Sequence, residues 1–259
     1  MNKYLKCFSF ALLIIFWSAI FDGIIVFLNM NDLEHGFTIN TDLLPVKSVS
    51  MAVVKIIGCF FILFIVYFQK RQIFNACLFL LSFKKRNINF LWKYFLFICL
   101  AFALITTLAW LSGLIHLKEN YTWTYQWVLL FLLNAFAIAI HEEITYRGLI
   151  AVFFKRHFGQ AGAILFSSIV FMLMHLAYFE ILPLCTVFLI GILSALLTFR
   201  YRSLYPAIGL HAGWDFCYFI FNDFFQPIEI PVWGAPFEFY QIGLFLLLIT
   251  ITYKFRPLS

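Results

Sequence analysis

The chain has 259 residues, of which 64% are apolar (AVILMFWYC) and 12% charged, with a formal charge of +6 and a mean hydropathy of +0.96. An ordinary soluble chain carries about a quarter charged residues, so this one could not cover a water-facing surface, and lipid must be its main solvent. The same composition excludes a disordered chain, a disulfide-stapled secreted domain and a nucleic-acid-binding module.

A hydrocarbon core of ~30 Å is crossed by about 20 mainly apolar residues. Such windows recur at Phe8–Leu28, Val49–Phe68, Leu91–Ile115, Val128–Phe154, Ala161–Phe179, Leu182–Phe199, Leu204–Phe221 and Phe239–Tyr253. They are continuously apolar and lack the alternation of a barrel, so helices must satisfy their backbones. The expected fold is all-α: a polytopic membrane protein of about eight transmembrane helices in one domain, 1–259. The apolar segment Ile73–Phe83 is too short to cross and is flanked by basic residues, which suits a cytoplasmic interface. The first span has an apolar stretch longer than that of a signal peptide, and no cleavage pattern follows it.

Charge sets the orientation. Fourteen of the eighteen basic residues fall in alternate gaps, at Lys3, Lys6, Lys70, Arg71, Lys84–Arg86, Lys93, Lys155, Arg156, Arg200, Arg202, Lys254 and Arg256, with no acid among them. The other gaps hold Asp32, Glu34, Asp42, Glu119, Glu180, Asp223, Glu229 and Glu238, with only Lys47 and Lys118. Basic loops stay cytoplasmic, which places both termini inside. The six cysteines show no paired spacing and are expected to pack as small apolar residues.

A few ionisable residues lie within the spans, where each costs at least ~2.5–3.5 kcal/mol on insertion scales and so needs a partner or a purpose. Asp22 and Lys55 occupy similar depths in neighbouring spans and are expected to pair. Span 4 reads His141-Glu142-Glu143-Ile144-Thr145-Tyr146-Arg147-Gly148. Glu143 and Arg147 are i, i+4 neighbours in the favourable order, whereas Glu142 has no partner within its own helix and suits proton transfer. His141 reads as packing. Span 5 places Phe171 and His175 one turn apart. Span 7 does the same for His211 and Asp215, with Gly209 and Gly213 on the opposite side as a close-packing ridge. Together these groups could hold a water or a metal ion and polarise a carbonyl.

Glu142-Glu143-x-x-x-Arg147, Phe171-x-x-x-His175 and His211-x-x-x-Asp215 resemble the three motifs of the CPBP intramembrane proteases, the family of type 2 CAAX prenyl endopeptidases and lysostaphin-resistance-like proteins. The resemblance covers a core of about 129–221, including Arg200-Tyr201-Arg202-Ser203-Leu204-Tyr205-Pro206-Ala207. Many members have Asn where this chain has Asp215. The resemblance implies an intramembrane endopeptidase, of a family usually called metalloprotease, that hydrolyses a membrane-associated or lipid-anchored peptide or protein in a bacterial cell membrane. It implies Glu142 as general base helped by His175, His211 and Asp215 as oxyanion or metal groups, and Glu143 and Arg147 as supports. A divalent metal such as zinc, if used, would draw on Glu142, His175, His211 and Asp215. The depths of Glu142 and His211 suit cleavage near the cytoplasmic face, while His175 falls toward the outer half.

Other protease chemistries do not fit. Thr145 stands where a His-Glu-x-x-His helix needs its second ligand, and no serine or aspartate motif of other intramembrane proteases occurs. A non-catalytic immunity or scaffold protein of the same fold is the alternative. A proton-coupled transporter would show an internal repeat, and none is visible.

Overall fold

In the computed structural model, residues 3–29, 44–118, 125–176, 180–227 and 235–254 are described. They form α1 (Lys3–Asn29), α2 (Leu44–Gln69), α3 (Arg71–Leu80), α4 (Lys85–Leu111), β1 (Ile115–Leu117), α5 (Tyr125–Glu143), a π-helical segment (Ile144–Ala151), α6 (Val152–Leu173), α7 (Ile181–Tyr201), α8 (Tyr205–Phe224), β2 (Phe225–Pro227) and α9 (Phe237–Lys254). The fold is all-α and of membrane type, with one addition. β1 and β2 pair antiparallel, Ile115 opposite Pro227, and tie the end of α4 to the end of α8.

Five described runs are long and apolar enough to cross a membrane: Val49–Gln69, Lys85–Leu111, Gln126–Leu173, Ile181–Tyr201 and Phe237–Lys254. The apolar run Ser9–Phe21 of α1 is shorter. Helix α8, diluted by Pro206, His211 and Asp215, does not qualify on hydropathy, so eight crossings exceed what length and composition alone certify. The run Gln126–Leu173 does not continue straight. Twenty-five residues of helix would separate Tyr146 from Phe171 by about 37 Å, yet their rings lie 5.1 Å apart. The chain turns back at Gly159, whose φ of +71° suits a residue without a Cβ. Ile73–Phe83 contains α3, whose Ile73, Cys77 and Leu80 are buried while Leu78 and Phe79 are exposed.

Without a hydrophobic drive between helices in lipid, packing rests on close approach and shape. Aromatic contacts lock α4, α8 and α9 together, with Phe102 and Trp214 rings 4.9 Å apart, Phe221 and Phe237 4.7 Å and Trp214 and Phe245 4.7 Å. Phe60, Phe68 and Leu100 stay exposed, as lipid-facing residues should. The glycine ridge of α8 lies on α4: a Cβ on Gly209 would collide with the Leu91 carbonyl oxygen, and one on Gly213 would stand 2.8 Å from that of Phe95. Gly209→Ala should therefore lower stability by about 1–3 kcal/mol, seen as an earlier thermal transition in detergent. Gly243→Ala on α9, where an added Cβ meets nothing within 4 Å, should leave the transition where it is.

Candidate active site

The two glutamates close α5, at the point where the helix widens into its π segment. Such segments interrupt α-helices frequently at functional sites. All eight residues of this one are buried, and Gly148 lets it press on α3, since a Cβ there would fall 2.6 Å from Cys77 Sγ. The Thr145 hydroxyl donates to the carbonyl of His141 at 2.8 Å, and the His141 side chain is fully buried.

Glu143 is the hub. Its Oε1 lies 3.0 Å from the Arg147 guanidinium and accepts from His211 Nδ1 at 2.8 Å. One buried oxygen thus links the π segment to α8. The Arg147 guanidinium also stacks on Phe171, 4.3 Å from the ring centroid, which brings in α6. A fully buried cation needs such partners, and here they come from α5 and α6.

With Nδ1 donating to Glu143, the other nitrogen of His211 faces the remaining acids. Nε2 is 3.7 Å from Glu142 Oε2 and 3.5 Å from Asp215 Oδ2. Phe171 packs edge-on against the His211 ring at 5.7 Å and lies 4.7 Å from the ring of His175. His175 sits just beyond the end of α6, where its Nδ1–H donates to the Phe171 carbonyl at 2.8 Å. A carbonyl can only accept, so the neutral ring carries its lone pair on Nε2.

One expectation changes, and one contact is new. The span drawn to Phe179 ends as a helix at Leu173, so His175 occupies a helix end rather than a helix interior. That position brings it level with His211, which lies in the second turn of α8. Lys55, matched in sequence to Asp22, is found on Glu142, with Nζ 3.4 Å from Oε1; the Asp22 side chain lies outside those described. Glu142 is therefore held by a cation from α2, a residue no local spacing connects to it.

The site opens onto a cavity of about 190 Å³ lined by His175, His211, Asp215, Glu180, Glu238 and Gln241 among others. Glu142 reaches it through His211. Among the described residues, no three His, Cys, Asp or Glu side chains are disposed to hold a metal ion. The Lys55 ammonium stands beside Glu142 Oε1, while the bond from His211 Nδ1 to Glu143 leaves Nε2 free toward Glu142 and Asp215. A divalent metal on Glu142, His175, His211 and Asp215 is implied by the resemblance alone.

No curated protein and no solved structure matches the chain. A family match does exist, and it spans α5, the π segment, α6, α7 and most of α8, the elements that carry Glu142, Glu143, Arg147, His175, His211 and Asp215. Across residues 122–217 the chain matches the family model described as Type II CAAX prenyl endopeptidase Rce1-like, which supports the resemblance to CAAX-type membrane proteases.

Proposed function

We propose that the protein is an intramembrane endopeptidase that hydrolyses a peptide bond of a membrane-associated or lipid-anchored peptide or protein with a water activated by Glu142. One observation carries the reading: Glu142, Glu143 and Asp215 converge within 3.7 Å on the ring of His211. Separations of 3.5–3.7 Å at Nε2 suit a bridging water better than a direct hydrogen bond.

Glu142 accepts a proton from that water as its oxygen attacks the scissile carbonyl carbon. The carbonyl oxygen then carries the negative charge of the tetrahedral intermediate. His211, held through Nδ1 and protonated at Nε2, donates to this oxyanion, and Asp215 fixes the ring from the cavity side. Glu142 returns the proton to the leaving amine as the C–N bond breaks, so the step balances with one water consumed. His175 Nε2, aimed by the bond at Nδ1, assists in orienting the water. Glu143 and Arg147 keep His211 in place. No step passes through a metal. The charge pattern supports a multi-pass arrangement with both termini cytoplasmic.

The test is cleavage of a lipid-anchored reporter peptide by purified protein, compared with Glu142→Ala, His175→Ala and His211→Ala. Each substitution should abolish cleavage, and thorough chelation should not. A biological effect that survives all three would assign the chain to a non-catalytic role, and activity lost on chelation and restored by zinc would replace the metal-free mechanism.

Lys55 has its own expected result. Lys55→Gln removes the ammonium that holds Glu142 Oε1 and should lower kcat about tenfold or more while KM changes little. Misplacement of a catalytic group costs rate at this scale. Lys55→Arg should recover part of the loss. An unchanged kcat in Lys55→Gln would reduce the contact to packing.

A further inference from the structure

The cavity continues past the groups that the mechanism uses. Beyond His211 and Asp215 its walls come from the first half of α7 and the first turn of α9, including Glu180, Thr186, Glu238 and Gln241. None of these belongs to the three sequence motifs, and Glu238 and Gln241 lie outside the family match.

Two of them are buried polar groups whose bonding is incomplete. Glu238 is 6% exposed and its Oε2 accepts from the Thr186 hydroxyl at 2.9 Å. Among the described residues no Lys, Arg or His stands within ion-pair distance of it. Gln241 is 1% exposed, and its Nε2 has no hydrogen-bond partner among the described residues. A buried carboxylate with a single neutral donor is costly unless a cation or strong donors complete it. A buried amide donor likewise seeks an acceptor. The two are i, i+3 on α9, on one face, and both line the same cavity. An acceptor and a donor side by side match a positively charged nitrogen next to a peptide carbonyl.

The location of these groups also has a direction. Helix α7 has Glu180 at its N-cap and Arg200 in its last turn, and α9 has Glu238 in its first turn and Lys254 in its last, so both begin at an acidic end and finish at a basic one. Helix α8 returns from the short turn at Arg202 and carries His211, then Asp215, then Tyr218 toward the acidic end. The cavity follows the same order. On the positive-inside rule that end is extracytoplasmic, opposite to the cytoplasmic access that residue depth alone suggests.

We propose that Glu238 and Gln241 form a substrate subsite for a positively charged nitrogen of the peptide, reached from the acidic, extracytoplasmic end of the helix bundle. The nitrogen belongs to a lysine side chain or to a free N-terminus. Identification of the ligand as a peptide rests on the peptidase reading, and binding is therefore measured without turnover.

The full-length Glu142→Gln protein in detergent is titrated with short leucine–alanine peptides, amidated and labelled at the C-terminus. One carries a central lysine and an acetylated N-terminus, one norleucine and a free N-terminus, one norleucine with acetyl, and one glutamate with acetyl. A charge-assisted hydrogen bond of ordinary strength favours the cationic peptides about tenfold or more, and whichever of the first two binds tighter names the nitrogen. Glu238→Gln, which keeps an acceptor for Thr186, should remove the preference. Equal affinities, no binding by any peptide, or a preference that survives Glu238→Gln would overturn the subsite. The ranking in the chain without the Glu238 substitution decides even if that variant fails to fold. For direction, Gln241→Cys should react with a membrane-impermeant maleimide added to intact cells, above the background of the unsubstituted chain. Labelling only after permeabilisation would overturn the access route. Cleavage without cationic preference would sink this subsite alone, and cationic binding without cleavage would sink the peptidase reading alone.

Discussion

Glu142→Gln is expected to lower endopeptidase turnover about 10²- to 10⁴-fold, the range contributed by a positioned general base. The substitution keeps the shape of the side chain and an oxygen for Lys55 Nζ, 3.4 Å away in the native protein. It removes the ability to take a proton from water. The fold should persist, because Glu143 holds His211 of α8 at 2.8 Å and Gln keeps the shape that packs against it. Single-turnover cleavage measured beside the thermal transition separates the two effects. A rate within a fewfold of the native one would remove Glu142 from the chemistry, and a collapsed transition would make it a structural residue.

Arg147→Met carries the second large expectation, on stability. Arg147 and Glu143 are both fully buried, so removing the guanidinium leaves Glu143 with His211 Nδ1 as its remaining partner. Breaking a buried pair this way costs about 3–5 kcal/mol. The face of Phe171 loses its cation at the same time, and His175 hangs from the Phe171 carbonyl, so activity should fall as well. The double substitution Arg147→Met with Glu143→Gln should be less damaging than the sum of the two singles, because neither charge is then stranded. Additive losses in denaturation midpoints would show that the pair does not act as a unit.

Much of the architecture was legible because ionisable residues are so few. Basic and acidic residues segregate into alternate gaps, and that pattern needs no tertiary knowledge. Glu143 with Arg147, and the glycine ridge of α8, were legible for a similar reason: i, i+4 spacing fixes which side chains meet on one helix. Helix ends were harder. The apolar run continues through Phe179 with no Gly or Pro to stop it, yet α6 ends at Leu173 because the His175 ring takes up the Phe171 carbonyl that the helix leaves open. The turn at Gly159 was visible only as a polar interruption. The Lys55–Glu142 contact spans 87 positions, and no local spacing points to it. Glu238 and Gln241 looked like the start of a span, and only the packing of α9 on α7 places them in the cavity that His211 lines.

The proposed function requires Glu142 and His211, on helices, and His175, just past a helix end, to act as one catalytic unit. Mass-spectrometric mapping of new peptide N-termini in membranes of the source cell, with native chain against Glu142→Gln, His175→Ala and His211→Ala, measures this most directly. The account predicts a set of termini in membrane-associated proteins that is present with the native chain and disappears in all three variants alike. The same termini at undiminished abundance in any variant that retains its fold would contradict it.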